Sequence, residues 1–93
     1  MQITLKIFGD LRKKVNPKIS GTLPITLDIN DGDIAKVVDI FNKYNMREDE
    51  VSHIFVNGSY SGPKKSLNNG DLVALFPINM AVLYKWYFTK DED

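Results

Sequence analysis

Hydrophobic and polar residues alternate in two stretches near the start of the chain. In residues 2–8 every second side chain is apolar: Ile3, Leu5 and Ile7. Residues 22–30 repeat this pattern at four positions: Leu23, Ile25, Leu27 and Ile29. Because successive side chains of a strand point to opposite faces, each stretch predicts a half-buried strand, and the pair predicts a hairpin. Pro24 cannot donate a ladder hydrogen bond, so we expect it near the start of its strand or on an edge strand.

The period changes to that of a helix after Asp33. Apolar residues recur there with helical spacing: Ile34, Val37, Val38 and Phe41. This spacing predicts an amphipathic helix. We expect Asp33 to be its N-cap, because an aspartate carboxylate can accept hydrogen bonds from the N–H groups of a first turn. The helix should end near Tyr44-Asn45, since asparagine tolerates the left-handed conformation of a C-terminal cap.

The second half of the chain predicts three more strands. Residues 51–56 form the first, and the following Asn57-Gly58 pair is a strong hairpin signal, with a short return strand at 59–61. Residues 72–76 are a continuous apolar run between a turn and Pro77, which is typical of a strand covered on both faces or lying at the centre of a sheet.

The order of these elements predicts the fold. Two strands, one helix, a strand, a short strand and a final strand form an α+β protein in which the helix covers one face of a mixed sheet of four or five strands. The first and last strands would lie parallel at its centre. This is the ubiquitin-like β-grasp arrangement.

The chain from Met1 to about Pro77 resembles a known family. The similarity is carried by an ordered set of segments: residues 3–8 with Gly9-Asp10-Leu11-Arg12, Asp31-Gly32-Asp33, Val56-Asn57-Gly58, and residues 67–77 with their closing Phe76-Pro77. Together they resemble the MoaD/ThiS-type sulfur carriers, the small subunit of molybdopterin synthase and its thiamine-pathway relative. The resemblance implies a C-terminal Gly-Gly tail that an ATP-dependent enzyme adenylates and that becomes a thiocarboxylate sulfur donor.

The sequence departs from the family at this tail. Its last glycine is Gly70, and the chain continues from Pro77 to Asp91-Glu92-Asp93. We therefore expect a β-grasp domain at residues 1–77 followed by a C-terminal extension at residues 78–93, and the resemblance transfers no catalytic residue.

The extension contains an aromatic segment at residues 81–89. Four side chains alternate on one side of it: Val82, Tyr84, Trp86 and Phe88. β-branched and aromatic residues favour a strand, and the polar residues from Lys90 to Asp93 are expected to fray. The segment could pack on the domain's own surface, or it could contact another chain, because interfaces are enriched in Trp and Tyr. Base stacking is the weaker alternative, since acidic residues follow at once.

Composition limits the chemistry. The 93 residues contain no cysteine and a single histidine, His53, which excludes disulfides, thiolate sites and multi-histidine metal sites. The net charge is zero, although residues 1–18 carry five bases against one acid and residues 19–63 carry seven acids against three bases. This balance argues against nucleic acid as the main ligand. The basic run at residues 12–14 could form an anion or partner site together with Lys64-Lys65, but we interpret it as a solvated loop.

No stretch has the pattern of a targeting signal or the length to cross a bilayer, so a cytoplasmic location is expected. These observations favour a protein without enzymatic activity or cofactor. We expect a non-conjugating protein-interaction module; the alternative is a carrier or small subunit in molybdenum, tungsten or thiamine cofactor synthesis. The expected partner is an activating-enzyme-like or synthase-like subunit, or a second copy bound through the extension. The candidate contact residues are Phe8, Leu75, Phe76, Pro77, Tyr84, Trp86 and Phe88.

Overall fold

The computed structural model describes residues 1–78. The elements within these residues follow in this order: β1 Gln2–Ile7, a 3₁₀ turn Gly9–Lys14, β2 Ile25–Asn30, α1 Val37–Lys43, a 3₁₀ turn Glu48–Glu50, β3 Val51–Val56, β4 Ser59–Ser61 and β5 Leu72–Pro77. The strands form one sheet in the order β2-β1-β5-β3-β4.

The two central strands come from opposite ends of the described chain. β1 and β5 are parallel, in a register that runs from Thr4 opposite Leu72 to Ile7 opposite Leu75. The other neighbouring pairs are antiparallel. A parallel pair needs a crossover, which here contains β2, α1 and the β3–β4 hairpin. The predicted ubiquitin-like β-grasp fold is therefore confirmed.

The main core lies between the sheet and α1. Three helix residues, Val37, Ile40 and Phe41, are buried against the inward side chains of the strands. Those strand residues include Ile3, Leu5, Ile7, Ile29, Ile54, Val56, Val73 and Leu75. The alternating pattern of β1 is thus buried as predicted, with its odd-numbered residues inside.

The helix begins three residues later than the predicted start. Its N-cap is Lys36, and residues before it pair with the loop that precedes β5 through a bridge between Lys36 and Ser66. The Asp39 carboxylate, instead of Asp33, accepts hydrogen bonds from the backbone N–H groups of Ala35 and Lys36, both at 2.9 Å. The predicted Asp33 cap is wrong because the pairing with Ser66 keeps Lys36 extended, so the helix starts only after it. The left-handed residue after the helix is Asn45, as predicted, with a φ of 56°.

The second strand is shorter than the pattern predicts. β2 begins at Ile25, and Leu23 is 80% exposed although it continues the apolar alternation. The carbonyl oxygens of Gly21 and Leu23 accept hydrogen bonds from the buried Arg12 guanidinium at 2.9 and 2.7 Å. These bonds tie residues 21–23 to the 3₁₀ turn, so the segment cannot join the ladder.

The Asn57-Gly58 hairpin fixes the start of β5. Both residues have positive φ values, 53° and 81°, as a tight turn of the predicted kind requires. The Asn57 side-chain oxygen accepts a hydrogen bond from the Leu72 N–H at 2.9 Å, and its amide donates to Asp71 at 2.9 Å. The turn between β3 and β4 therefore sets the position of the central strand.

Candidate functional site

The face of the sheet opposite α1 carries aromatic side chains. The even-numbered residues of β5 point to this face, and its last such residue is Phe76, beside Phe8 at the end of β1. On β3 the corresponding positions are His53 and Phe55, which pair with Phe76 and Ala74. Tyr60 of β4 lies opposite Phe55. We call this set the aromatic face: Phe8, His53, Phe55, Tyr60, Ala74 and Phe76.

The rings of the aromatic face contact one another in sequence across three strands and the end of β1. Phe8 stacks on Phe76 with ring centroids 4.2 Å apart and an interplanar angle of 8°. Phe76 meets Phe55 edge to face at 5.7 Å, and Phe55 meets Tyr60 at 5.7 Å. Stacked and edge-to-face pairs are the geometries that aromatic quadrupoles favour. The face is therefore an ordered cluster.

Burial varies across the aromatic face. Phe55 and Phe76 are only 1% and 2% exposed, and Ala74 is 4% exposed. Tyr60, on the short edge strand, keeps 56% of its surface accessible. The centre of the aromatic face is therefore buried, and Tyr60 is its accessible edge.

Two basic side chains lie at the aromatic face: Lys6 beside it and His53 within it. The Lys6 ammonium lies 5.5 Å from the centroid of the Phe8 ring, within the range of a cation–π contact. His53 packs edge to face on Tyr60 at 5.6 Å, and its Nδ1 is 2.9 Å from the Ser52 hydroxyl. Burial lowers the pKa of His53 because it disfavours the imidazolium. This shift favours the neutral form of the imidazole beside Tyr60.

An open groove of about 450 Å³ lies where the chain leaves β5. Its apolar wall is formed by Leu11, Pro77 and Ile78. An ion pair between Lys14 and Glu50, at 3.1 Å, borders it. Hydrogen bonds from the Arg47 backbone N–H and from Lys14 lower the pKa of Glu50. The groove is therefore lined by both charged and apolar residues.

The structure separates the candidate contact residues into three groups. Phe8 and Phe76 are brought together on the aromatic face. Leu75 points to the opposite side and is fully buried in the main core, while Pro77 lies at the groove. Three candidates fall outside the described residues: Tyr84, Trp86 and Phe88.

Two aromatic residues of the face, Phe55 and Tyr60, were not among the sequence candidates. The signal for them is the Asn57-Gly58 turn itself, because a two-residue hairpin loop fixes the strand register. That register places Phe55 opposite Tyr60. The positions of Phe55 and Tyr60 on the aromatic face thus follow from the turn and from the alternation of side chains along each strand.

Within residues 1–78, no three His, Asp or Glu side chains are grouped in a way that could hold a metal ion. In the same part of the chain, no helix is long and apolar enough to cross a membrane.

Known structures share this architecture. No family model matches the chain, and no curated protein matches it. The crystal structure of SAMP1, small archaeal modifier protein 1 of Haloferax volcanii, matches with 23% identity over 86% of this chain and 98% of that chain, with a TM-score of 0.53. A provisionally named molybdopterin converting factor, subunit 1, of Pyrococcus furiosus matches with 24% identity over 83% of this chain and 97% of that chain, with a TM-score of 0.53. The chain shares their ubiquitin-like fold.

Proposed function

We propose that this protein is a non-conjugating protein-interaction module that binds a partner protein through the aromatic face. The observation that carries the proposal is the ring cluster from Phe8 to Tyr60 on the side of the sheet away from α1. One face of such a sheet commonly packs on the core while the other is solvated and polar. Interface cores are enriched in Phe, Tyr and Trp, and binding energy concentrates at such anchors.

The partner is proposed to be an activating-enzyme-like or synthase-like subunit. The fold shared with a small archaeal modifier and with a molybdopterin converting factor supports this class of partner. The chain contains no two adjacent glycines at any position. In the proposed function the partner is bound without a covalent bond, so such a pair is not required.

The second candidate function is a sulfur carrier or small subunit in molybdenum, tungsten or thiamine cofactor synthesis. It is favoured by the same two structural neighbours and by the groove at the end of β5, from which a reactive tail would extend. This function requires activation of a terminal carboxylate by ATP. It therefore predicts a covalent change that simple binding does not.

The test uses the full chain and two matched substitutions of exposed apolar residues. Tyr60 is 56% exposed on the aromatic face, and Leu23 is 80% exposed in the loop before β2. Partners captured from the source cells by the wild-type chain are purified and titrated by calorimetry. We expect Tyr60→Ala to weaken binding by about tenfold or more, as loss of an interface aromatic does, and Leu23→Ala to leave it unchanged.

Equal affinity of wild type and Tyr60→Ala would overturn the assignment to the aromatic face. The same samples, incubated with ATP and the adenylating enzymes of those cells, are examined by intact mass spectrometry. An acyl-adenylate or a thiocarboxylate would establish the carrier function in place of the non-conjugating one.

A further inference from the structure

The aromatic face forms a second core that is separate from the core under α1. Phe55, Ala74 and Phe76 are buried together there, with Phe8 packed against them. The one α-helix of residues 1–78 lies on the opposite side of the sheet. A sheet face that meets water is expected to be polar, yet two large rings at the centre of this one are almost fully buried. Such burial is typical of a face that has a second layer over it.

We propose that residues 81–89 of the same chain form that layer. β5 ends at Pro77, directly after Phe76, so the chain leaves the sheet at one end of the aromatic face. Ile78, the next residue, is 65% exposed and lies outside both cores. Only residues 79 and 80 separate it from the aromatic segment, so the segment begins beside the surface that it would cover.

The length of the segment suits the size of the face. Nine extended residues span about 30 Å at roughly 3.3 Å per residue. The face extends about 13 Å along β5 from Leu72 to Phe76, and about 10 Å across two strand spacings to β4. The segment can therefore cross the whole cluster and reach the accessible ring of Tyr60.

The composition of the segment matches the chemistry of the face. Val82, Tyr84, Trp86 and Phe88 share one side at a period of two. In an extended conformation that side meets the rings of Phe55 and Phe76, where offset and edge-to-face contacts are available. The other side carries Leu83, Lys85 and Tyr87, of which Lys85 is charged. The side with Val82, Tyr84, Trp86 and Phe88 is therefore the more apolar of the two and the one suited to cover the face.

A second copy of the chain could supply the same segment, but the chain's own segment has the advantage of proximity. A short connection makes the contact intramolecular, with an effective concentration in the millimolar range. A second copy would compete only at comparable protein concentrations. The cover is therefore expected in the monomer.

This cover would have a functional consequence. In the free protein the aromatic face is shielded, and a partner that uses the face must displace residues 81–89 or bind on top of them. The cover does not depend on the proposed function, because its test needs no partner. If the cover is disproved, the proposed partner binding is still tested by its own experiment, and the reverse also holds.

Trp86 makes the proposal directly testable, because it is the only tryptophan in the chain. We expect blue-shifted emission from the full-length protein and acrylamide quenching several-fold weaker than that of a free tryptophan amide. Both should be independent of protein concentration in samples shown to be monomeric by light scattering. Nuclear Overhauser effects should connect the indole ring with the rings of Phe55, Phe76 or Tyr60.

Two substitutions to glutamate provide the matched comparison. Tyr60→Glu introduces a charge on the aromatic face, whereas Thr26→Glu introduces the same charge at an exposed position of the edge strand β2. We expect Tyr60→Glu to shift Trp86 emission to the red and to raise its quenching severalfold, with far-ultraviolet circular dichroism unchanged. Thr26→Glu should behave as the wild type.

Three outcomes would overturn the proposal. The first is a wild-type Trp86 that is as accessible to acrylamide as a free tryptophan amide. The second is Trp86 burial that appears only in a dimer, which would assign the face to a second copy. The third is a set of indole contacts confined to residues outside the aromatic face.

Discussion

The Arg12 side chain is buried although it carries a charge and belongs to a run of three basic residues. Its Nε donates to the Gly9 carbonyl at 2.7 Å, and its two terminal nitrogens donate to the carbonyls of Leu23 and Gly21. The planar guanidinium can reach three acceptors in fixed directions, which an ammonium cannot. The interpretation of residues 12–14 as a solvated loop is therefore wrong at Arg12, because backbone carbonyls replace its water.

Replacing Arg12 should destabilise the protein, whereas replacing its neighbour Lys13 should not. Arg12→Ala removes three hydrogen bonds that involve a charged group, so we expect the free energy of unfolding to fall by about 2–4 kcal/mol. Arg12→Lys should recover only a minor part, since the fork geometry is lost. The measurement is urea unfolding followed by circular dichroism.

Lys13 is the matched control for this prediction, because it is a neighbouring basic residue with an exposed side chain and a long, 3.9 Å ion pair to Asp10. Lys13→Ala should leave stability within about 0.5 kcal/mol of wild type. Equal losses for the Arg12 and Lys13 variants would show that total charge, and not the buried fork, stabilises the loop.

At the scale of the elements, α1 shows how tertiary pairing moves a helix boundary. Three N–H groups at the start of the helix have partners: Val37 donates to the Lys65 carbonyl, Val38 to the Pro63 carbonyl and Asp39 to the Lys36 carbonyl. First-turn N–H groups lack partners within the helix itself. Here the loop before β5 supplies the acceptors for two of these N–H groups. The Asp39 carboxylate accepts hydrogen bonds from the two residues just before the helix. Periodicity from Ile34 onward could not reveal this.

Substitutions of Asp39 and Asp33 distinguish the observed cap from the predicted one. Asp39→Ala removes the acceptor of the Ala35 and Lys36 N–H groups. We expect it to lower the midpoint of thermal unfolding by about 4–8 °C, the effect of losing a typical cap in a domain of this size. Asp33→Ala removes an exposed side chain outside the helix and should change the midpoint far less. If calorimetry showed the larger decrease in midpoint for Asp33→Ala, the helix cap would be Asp33, as the sequence predicts.

At the scale of the whole molecule, the features that the sequence predicts correctly are those that depend on alternating side chains and on turn residues. The alternation of β1, the Asn57-Gly58 turn and the apolar run of β5 predict strands because each signal is local and strong. The order of the elements then predicts that the two central strands are parallel, as they are. The start of β2 was missed because Leu23 continues the pattern while Arg12 holds its carbonyl in a loop. The site was predicted in part: Phe8 and Phe76 were identified, whereas Phe55 required the hairpin register to be applied across strands.

The stability of the whole protein should respond to acid in two steps. Burial lowers the pKa of His53 in the folded state, so the unfolded chain, with a histidine pKa near 6.5, binds a proton first as the pH falls. Where the unfolded state holds more protons than the native state, the free energy of unfolding decreases with decreasing pH. The His53 contribution is therefore complete above pH 6.5 and is lost as the pH falls through the lower, folded pKa.

The second step belongs to three carboxylates whose pKa values are lowered by hydrogen bonds. The donors are Lys43 for Asp31, the backbone N–H of Ala35 for Asp39 and the backbone N–H of Arg47 for Glu50. A lowered carboxylate pKa stabilises the fold above the unfolded value, 3.8 for aspartate and 4.5 for glutamate, and that stabilisation is lost as the pH falls through the folded value. This step therefore lies below that of His53.

Replacing His53 separates the two steps, because it is the only histidine in the chain. We expect His53→Gln to have a constant urea midpoint between pH 7 and 5, where the wild-type midpoint declines, and both proteins to lose stability below about pH 4.5. A decline between pH 7 and 5 that persists in His53→Gln would place the titrating group elsewhere. A wild-type midpoint that stays constant over this range would show that the imidazole is as well solvated in the folded protein as in the unfolded chain. Since His53 belongs to the aromatic face, its protonation would also place a positive charge beside Tyr60, so the same pH range should weaken any apolar contact made there.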